Sequence, residues 1–319
     1  MLKFRHIASV LLLAAVTACA GGGRGGDVSV PVHLSFPNPP AMMEQGQKMQ
    51  YIAAHFWDSL VDTSRHYPCD STFISGVDAA EVEQAMANYI MLSSSLPLDQ
   101  ARANIRRFAS ALMLCRAADS TSNVFARMTE MTERYMYDPN SPMRDEDLYM
   151  PFADEMSRCP FVPEARRAAY ASDAALSSLN CRGTKAADFT FSDRRGRVYS
   201  LYGIKADLTI LFFSNPGCTA CKEIIEALQS DKGINDGIAS GRVAVLNIYI
   251  DEDLGAWYDY MPIYPESWYN GYDHNHIIRG EEIYNVRAIP SLYLLDKDKK
   301  VILKDATTEK LINNLPWQQ

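Results

Sequence analysis

The chain has 319 residues, 47% of them hydrophobic, and a formal net charge of -8. That length suggests two domains, and that apolar fraction is enough to build real cores. The acidic balance is not interrupted by a basic stripe, which excludes nucleic acid as an expected partner. After the N-terminus no stretch approaches the ~18 uninterrupted apolar residues of a membrane span.

Lys3 and Arg5 precede an apolar run from Ile7 to Val16, about the length of a signal-peptide core and too short to cross a bilayer of ~30 Å. The run closes on Val16-Thr17-Ala18-Cys19, which resembles the lipobox of bacterial lipoproteins. The resemblance implies cleavage before Cys19 and a diacylglyceryl group on its thiol. The alternative is an ordinary signal peptide in which Cys19 is incidental. Either way the mature protein leaves the cytosol, with a lipid anchor as the only implied membrane contact. Residues 1–18 are thus read as a leader. Residues 19–40, with five glycines and four prolines, are read as a flexible tether.

From residue 41 to 180 the apolar period is helical. Val82, Ala85, Met86, Tyr89 and Ile90 form one stripe, Ile105, Phe108, Ala109, Leu112 and Met113 a second, and Val124, Met128, Met131 and Tyr135 a third. Breaks at His66-Tyr67-Pro68, Ser95-Leu96-Pro97, Asp119-Ser120-Thr121 and Pro139 to Pro142 divide the region into about six helices. Core packing is the preferred reading of the methionines.

From residue 181 to the C-terminus the period changes. Asp188 to Phe191 and Arg197 to Leu201 flank a Gly196 turn as a short hairpin, while Leu208 to Phe213 and Val243 to Ile250 read as strands buried on both faces. A helix follows at Lys222 to Leu228 and another starts near Asp253. Ser291 to Leu295 and Lys300 to Leu303 form a late hairpin before a closing helix at about Glu309 to Asn314. Strands alternating with helices predict a mixed central sheet flanked by helices, so the whole chain reads as an all-α domain followed by an α/β domain.

The first buried strand runs into Cys218-Thr219-Ala220-Cys221 at a helix start. Two cysteines at this spacing fit a redox pair, half of a metal site, or a structural bridge. A helix N-terminus favours thiolate through its partial positive charge and free N–H donors. Cys218 at the helix start would be the nucleophile, and Cys221, one turn deeper, would resolve the mixed disulfide. Zinc needs four ligands, and His274 and His276 lie in a distant loop, so metal is disfavoured. A structural bridge would leave a redox-silent binding module, the alternative function.

With Ala187-Asp188-Phe189-Thr190, the Gly196 turn, the CxxC motif and Tyr284-Asn285-Val286-Arg287-Ala288-Ile289-Pro290, the C-terminal part resembles the thioredoxin-like domain of TlpA and alkyl hydroperoxide reductase-related thiol-disulfide oxidoreductases. The resemblance implies a cis Pro290 facing the cysteines and dithiol-disulfide exchange with protein or peptide substrates. It implies an upstream envelope electron donor and no organic cofactor. Tyr137 to Arg144 and Tyr149 to Phe152, leading to Asn180 and Gly183, are similar to a helical domain of unknown function that precedes such domains in Gram-negative lipoproteins. The implied location is therefore a Gram-negative envelope, periplasm-facing and at the outer membrane.

Three departures stand out. Gly217 replaces the aromatic residue before the first cysteine, Phe212 replaces the buried acid six residues before it, and Ile224 replaces an acid three residues after the second. Glu223 and Glu226 read as solvated helix faces. Of the remaining cysteines, Cys69, Cys115 and Cys159 are expected at one end of the helical array and Cys181 at the other, with a Cys69–Cys115 disulfide or free buried thiols both open. The aromatic stretch from Trp257 to Tyr272 is read as an insertion packing on the sheet, ahead of a substrate platform.

Overall fold

The computed structural model describes residues 31–64, 66–67 and 70–318. The leader and Cys19 lie outside the described residues, and so does Cys69, half of the pairing weighed above. The helical stripes become α1 (Gln45–His55), a hairpin of β1 (Phe73–Ile74) and β2 (Val77–Asp78), α2 (Ala79–Ser94), α3 (Leu98–Ala118) and α4 (Val124–Thr132). One π-helical turn, Glu133–Tyr137, follows α4 before α5 (Glu146–Ser157) and α6 (Glu164–Ser177). The stripes named from periodicity are the buried ones: Val82, Met86 and Tyr89 of α2 and Ile105, Ala109 and Leu112 of α3 share one core with Met128 and Phe152. Asp78 caps α2 by accepting from the Ala80 amide at 2.8 Å, as a short polar side chain at a helix start should. The tether reading stops short of residue 40. Val32 bridges to Val77, Leu34 is buried, and Phe36 packs on Phe56 at 5.1 Å.

Pro151 sits inside α5 and cannot donate to the carbonyl four residues earlier. That carbonyl belongs to Asp147, and Arg102 of α3 satisfies it through Nε at 3.1 Å. A proline that would otherwise orphan a buried acceptor is thus matched by a cation from the packed neighbour.

The second half builds β3 (Thr190–Asp193), β4 (Val198–Ser200), β5 (Leu208–Phe213), α7 (Thr219–Ser230), α8 (Lys232–Ala239) and β6 (Val243–Tyr249). Then come α9 (Leu254–Tyr260), β7 (Tyr269–Tyr272), α10 (Ile277–Gly280), β8 (Ser291–Asp296), β9 (Val301–Leu303) and α11 (Thr308–Asn313). Among the described residues the sheet runs β4-β3-β7-β6-β5-β8-β9. β5, β6 and β7 are parallel and the other neighbours antiparallel. The apolar run of β5 is explained by its two covered faces. Ile210 and Phe212 join the core with Cys221, Leu228 and Trp257, while Leu211 and Phe213 join Phe189, Phe191 and Tyr284.

Five elements went unread in the sequence: β1, β2, α8, β7 and α10. β7 reads Tyr-Asn-Gly-Tyr, and a glycine inside a short segment suggests a loop. Here the glycine is needed because a Cβ on Gly271 would come within 2.4 Å of the Phe191 ring. Trp257, Tyr264 and Trp268 are buried, so this stretch packs on the sheet as read and also supplies one of its strands.

Asn180 joins the two halves in the left-handed region at φ 50°. Its Nδ2 donates to the Ile283 carbonyl at 2.8 Å and its Oδ1 accepts from the Ala187 amide at 2.8 Å. Asn180→Ala loses both bonds and keeps the unfavourable φ, and is expected to cost about 2 to 3 kcal/mol in urea unfolding.

Candidate functional site

β5 ends at Phe213 and the chain turns through Ser214, Asn215, Pro216 and Gly217 into α7. Gly217 has φ 73° with open space around it, so glycine serves the backbone there rather than a close contact. Gly217→Ala is expected to cost about 1 kcal/mol of stability by thermal unfolding.

Cys218 is the N-cap of α7. Its Sγ accepts from the Cys221 amide at 3.1 Å, and the two cysteines form a disulfide with Cα atoms 5.2 Å apart. The pair is asymmetric. Cys221 is 1% exposed and packs with Ile224, Ile225 and Leu228, whereas Cys218 is half-buried at the rim. The amphipathic pattern of α7 produces this difference, because it turns Cys221 inward and leaves Thr219 and Ala220 outside.

The Ile289–Pro290 peptide bond is cis. β8 pairs antiparallel with β5, with Ser291 opposite Phe213, so sheet register carries Pro290 to the level of the turn that leads into Cys218. An open groove of about 390 Å³ runs beside them, with Ala220, Glu223 and Pro290 among its walls. Arg144, from the helical half, lines it too.

Phe212 is fully buried and Ile224 nearly so, so neither position offers an acid. Glu223 and Glu226 are exposed, Glu226 lying 3.8 Å from Lys222. A polar group does occur on the same face of the sheet, and it was not anticipated. Asn247 of β6, in register with Phe212, bonds Ser214 Oγ at 2.5 Å and donates to Asn270 at 3.0 Å. Its signal in the sequence was a single asparagine inside an otherwise apolar strand.

The other described cysteines are not part of this pair. Cys115, Cys159 and Cys181 are free and buried, and burial pushes the Cys115 and Cys181 thiols above their usual range. His274 Nδ1 lies 3.1 Å from Ser192 Oγ on β3. Among the described residues no group of His, Cys, Asp and Glu is arranged to hold a metal ion, and no helix is long and apolar enough to cross a membrane.

Residues 26–180 match the family described as a domain of unknown function, DUF5106. No curated protein matches the chain. A crystal structure of a thioredoxin-like protein from Bacteroides caccae is similar at 36% identity and a TM-score of 0.75, over 89% of this chain and 98% of that one. The C-terminal domain of an uncharacterized Bacteroides fragilis protein is 45% identical over 41% of this chain and 94% of that one, at a TM-score of 0.40. The thioredoxin domain of a thiol-disulfide oxidoreductase from Bacteroides vulgatus is 21% identical over 42% of this chain and 94% of that one, at a TM-score of 0.37. With a relative this similar along nearly its whole length, and with a helical region leading into a mixed sheet, this chain belongs to the thioredoxin-like proteins.

Proposed function

We propose that the protein is a thiol-disulfide oxidoreductase that exchanges disulfides with protein or peptide substrates through Cys218 and Cys221. The reading rests on one observation above all. Cys218 caps α7 with an amide pointed at its sulfur, while Cys221 lies buried directly behind it. Donors at a helix start stabilise the thiolate, so the half-buried Cys218 sulfur at the rim is the better nucleophile.

In the reducing direction the Cys218 thiolate attacks one substrate sulfur. An S–S bond forms, the substrate S–S bond breaks, and one substrate thiolate leaves. Cys221 then gives up its proton and attacks Cys218 Sγ, which releases the second substrate thiol and closes the Cys218–Cys221 disulfide. Two electrons have passed to the substrate, and a dithiol donor of the envelope returns them. Pro290, beside the pair, would shape the approach of the substrate chain.

The leader and Cys19 support a lipid-anchored position in the envelope, facing the periplasm at the outer membrane. The test is insulin-disulfide reduction by a soluble form beginning at Asp27, with dithiothreitol as electron donor and a Cys221→Ser form alongside. Catalysed turnover and a trapped adduct on Cys218 are expected. Neither turnover nor adduct would sink the reading in favour of a redox-silent binding module.

A further inference from the structure

α5 opens on three consecutive acids, Asp145, Glu146 and Asp147, and all three are buried. Acids suit the first turn of a helix, but burial of a carboxylate also demands partners. Those of Glu146 come from the thioredoxin-like half. Glu146 Oε1 accepts from Arg287 Nε at 2.8 Å and from Asn285 Nδ2 at 2.9 Å, and Oε2 lies 2.8 Å from Lys304 Nζ. Arg287 also donates to the Tyr137 carbonyl and places its guanidinium 4.1 Å from the centre of the Tyr137 ring. Arg287 stands three residues before Pro290.

The residue after Pro290 is held from the same direction. Ser291 Oγ donates to Asp305 at 2.8 Å, and Asp305 accepts from Arg144 Nε at 3.0 Å. Both shoulders of the Pro290 loop therefore end on side chains of the helical half, Glu146 on one side and Arg144 on the other. Buried ion pairs add little stability over apolar packing of the same volume, and here they tie Arg287 to Glu146 and Asp305 to Arg144. Arg144 also lines the groove that begins at Ala220 and Pro290 and continues past Glu223 to Thr307. A cavity of this size takes several side chains of a ligand, and its two charged walls suit the polar backbone of an extended peptide. A small disulfide needs only Cys218.

We propose that the helical domain is a working part of the exchange site. Glu146 and Arg144 are positioning residues for the Pro290 loop, and Arg144 walls a groove for an extended segment of a protein disulfide. The proposal rests on the exchange reading of Cys218 and Cys221.

Its test is the ratio of two second-order rates for the reduced full chain, one with insulin and one with the small aromatic disulfide dithiobisnitrobenzoate. Arg144→Ala and Glu146→Gln are each expected to lower the ratio on the order of tenfold, because a displaced loop harms alignment of the long substrate more than that of the short one. A purely structural role would lower both rates together. Should Glu146→Gln fail to fold, Arg144→Ala, at the rim, carries the test alone. An unchanged ratio in the folded variants overturns the proposal and leaves the exchange reading intact. Wild-type protein that reacts with neither disulfide overturns both.

Discussion

Cys218→Ser is expected to lower insulin-disulfide reduction by at least about three orders of magnitude, because it removes the proposed attacking sulfur outright. Cys221→Ser is expected to give a different failure. The first attack survives, since Cys218 keeps its place at the start of α7 and the amide of residue 221 still points at its sulfur. The second attack is lost, so a mixed disulfide accumulates on Cys218 and yields to dithiothreitol. Mass spectrometry of the two variants after exposure to insulin reads this contrast directly. Equal, partial losses in both would contradict an ordered attack. The burial difference between the two cysteines sets the order, because Cys221, 1% exposed, cannot meet a substrate first.

Asp147→Asn is the second large effect, and it falls on stability. Asp147 Oδ2 accepts from Arg182 Nε at 2.9 Å and Oδ1 from Arg102 at 2.5 Å, with the carboxylate 1% exposed. Burial alone would raise its pKa, but the charges of Arg182, Lys304 and Arg102 outweigh it and hold the carboxyl below the usual carboxylate range. The asparagine removes the charge and leaves Arg182, which also pairs with Asp145 at 3.0 Å, short of one partner. Loss of about 3 kcal/mol is expected in urea unfolding at neutral pH.

The pH dependence follows from the same depressed value. A carboxyl with a lowered folded pKa stabilises fully above its unfolded value of about 4, and that contribution is lost as pH falls through the folded value. Wild-type stability should therefore drop on acidification below about pH 4, and the drop should be smaller in Asp147→Asn. Parallel pH profiles for the two proteins would show that Asp147 is not the group responsible.

What the sequence disclosed and what it hid divide along physical lines. The helical stripes of α2 and α3 and the apolar run of β5 were legible because burial imposes its period locally. Cys218 and Cys221 stood out by their spacing at a helix start, and Pro290 entered through the family resemblance. The roles of Arg144, Asp145, Glu146 and Asp147 were not legible, since a run of charges in one dimension carries no sign of the partners it will meet. Only folding shows that Glu146 meets Arg287, 141 residues away. β7 was hidden for a related reason, its glycine being dictated by Phe191 on another strand rather than by its own neighbours. Phe212 and Ile224 are plain from the sequence, but the Ser214–Asn247 pair on the same face as Phe212 was visible only once β5 and β6 were in register.

A working redox couple at Cys218 and Cys221 differs from a structural bridge in how readily it is reduced. Equilibration of the protein across dithiothreitol and glutathione buffers, with alkylation and mass spectrometry of both cysteines, measures this most directly. The half-exposed position of Cys218 at the start of α7 predicts reversible interconversion of the pair between about -270 and -120 mV, the span of known exchange proteins. A pair that stays oxidised below about -300 mV, as structural disulfides do, would contradict it.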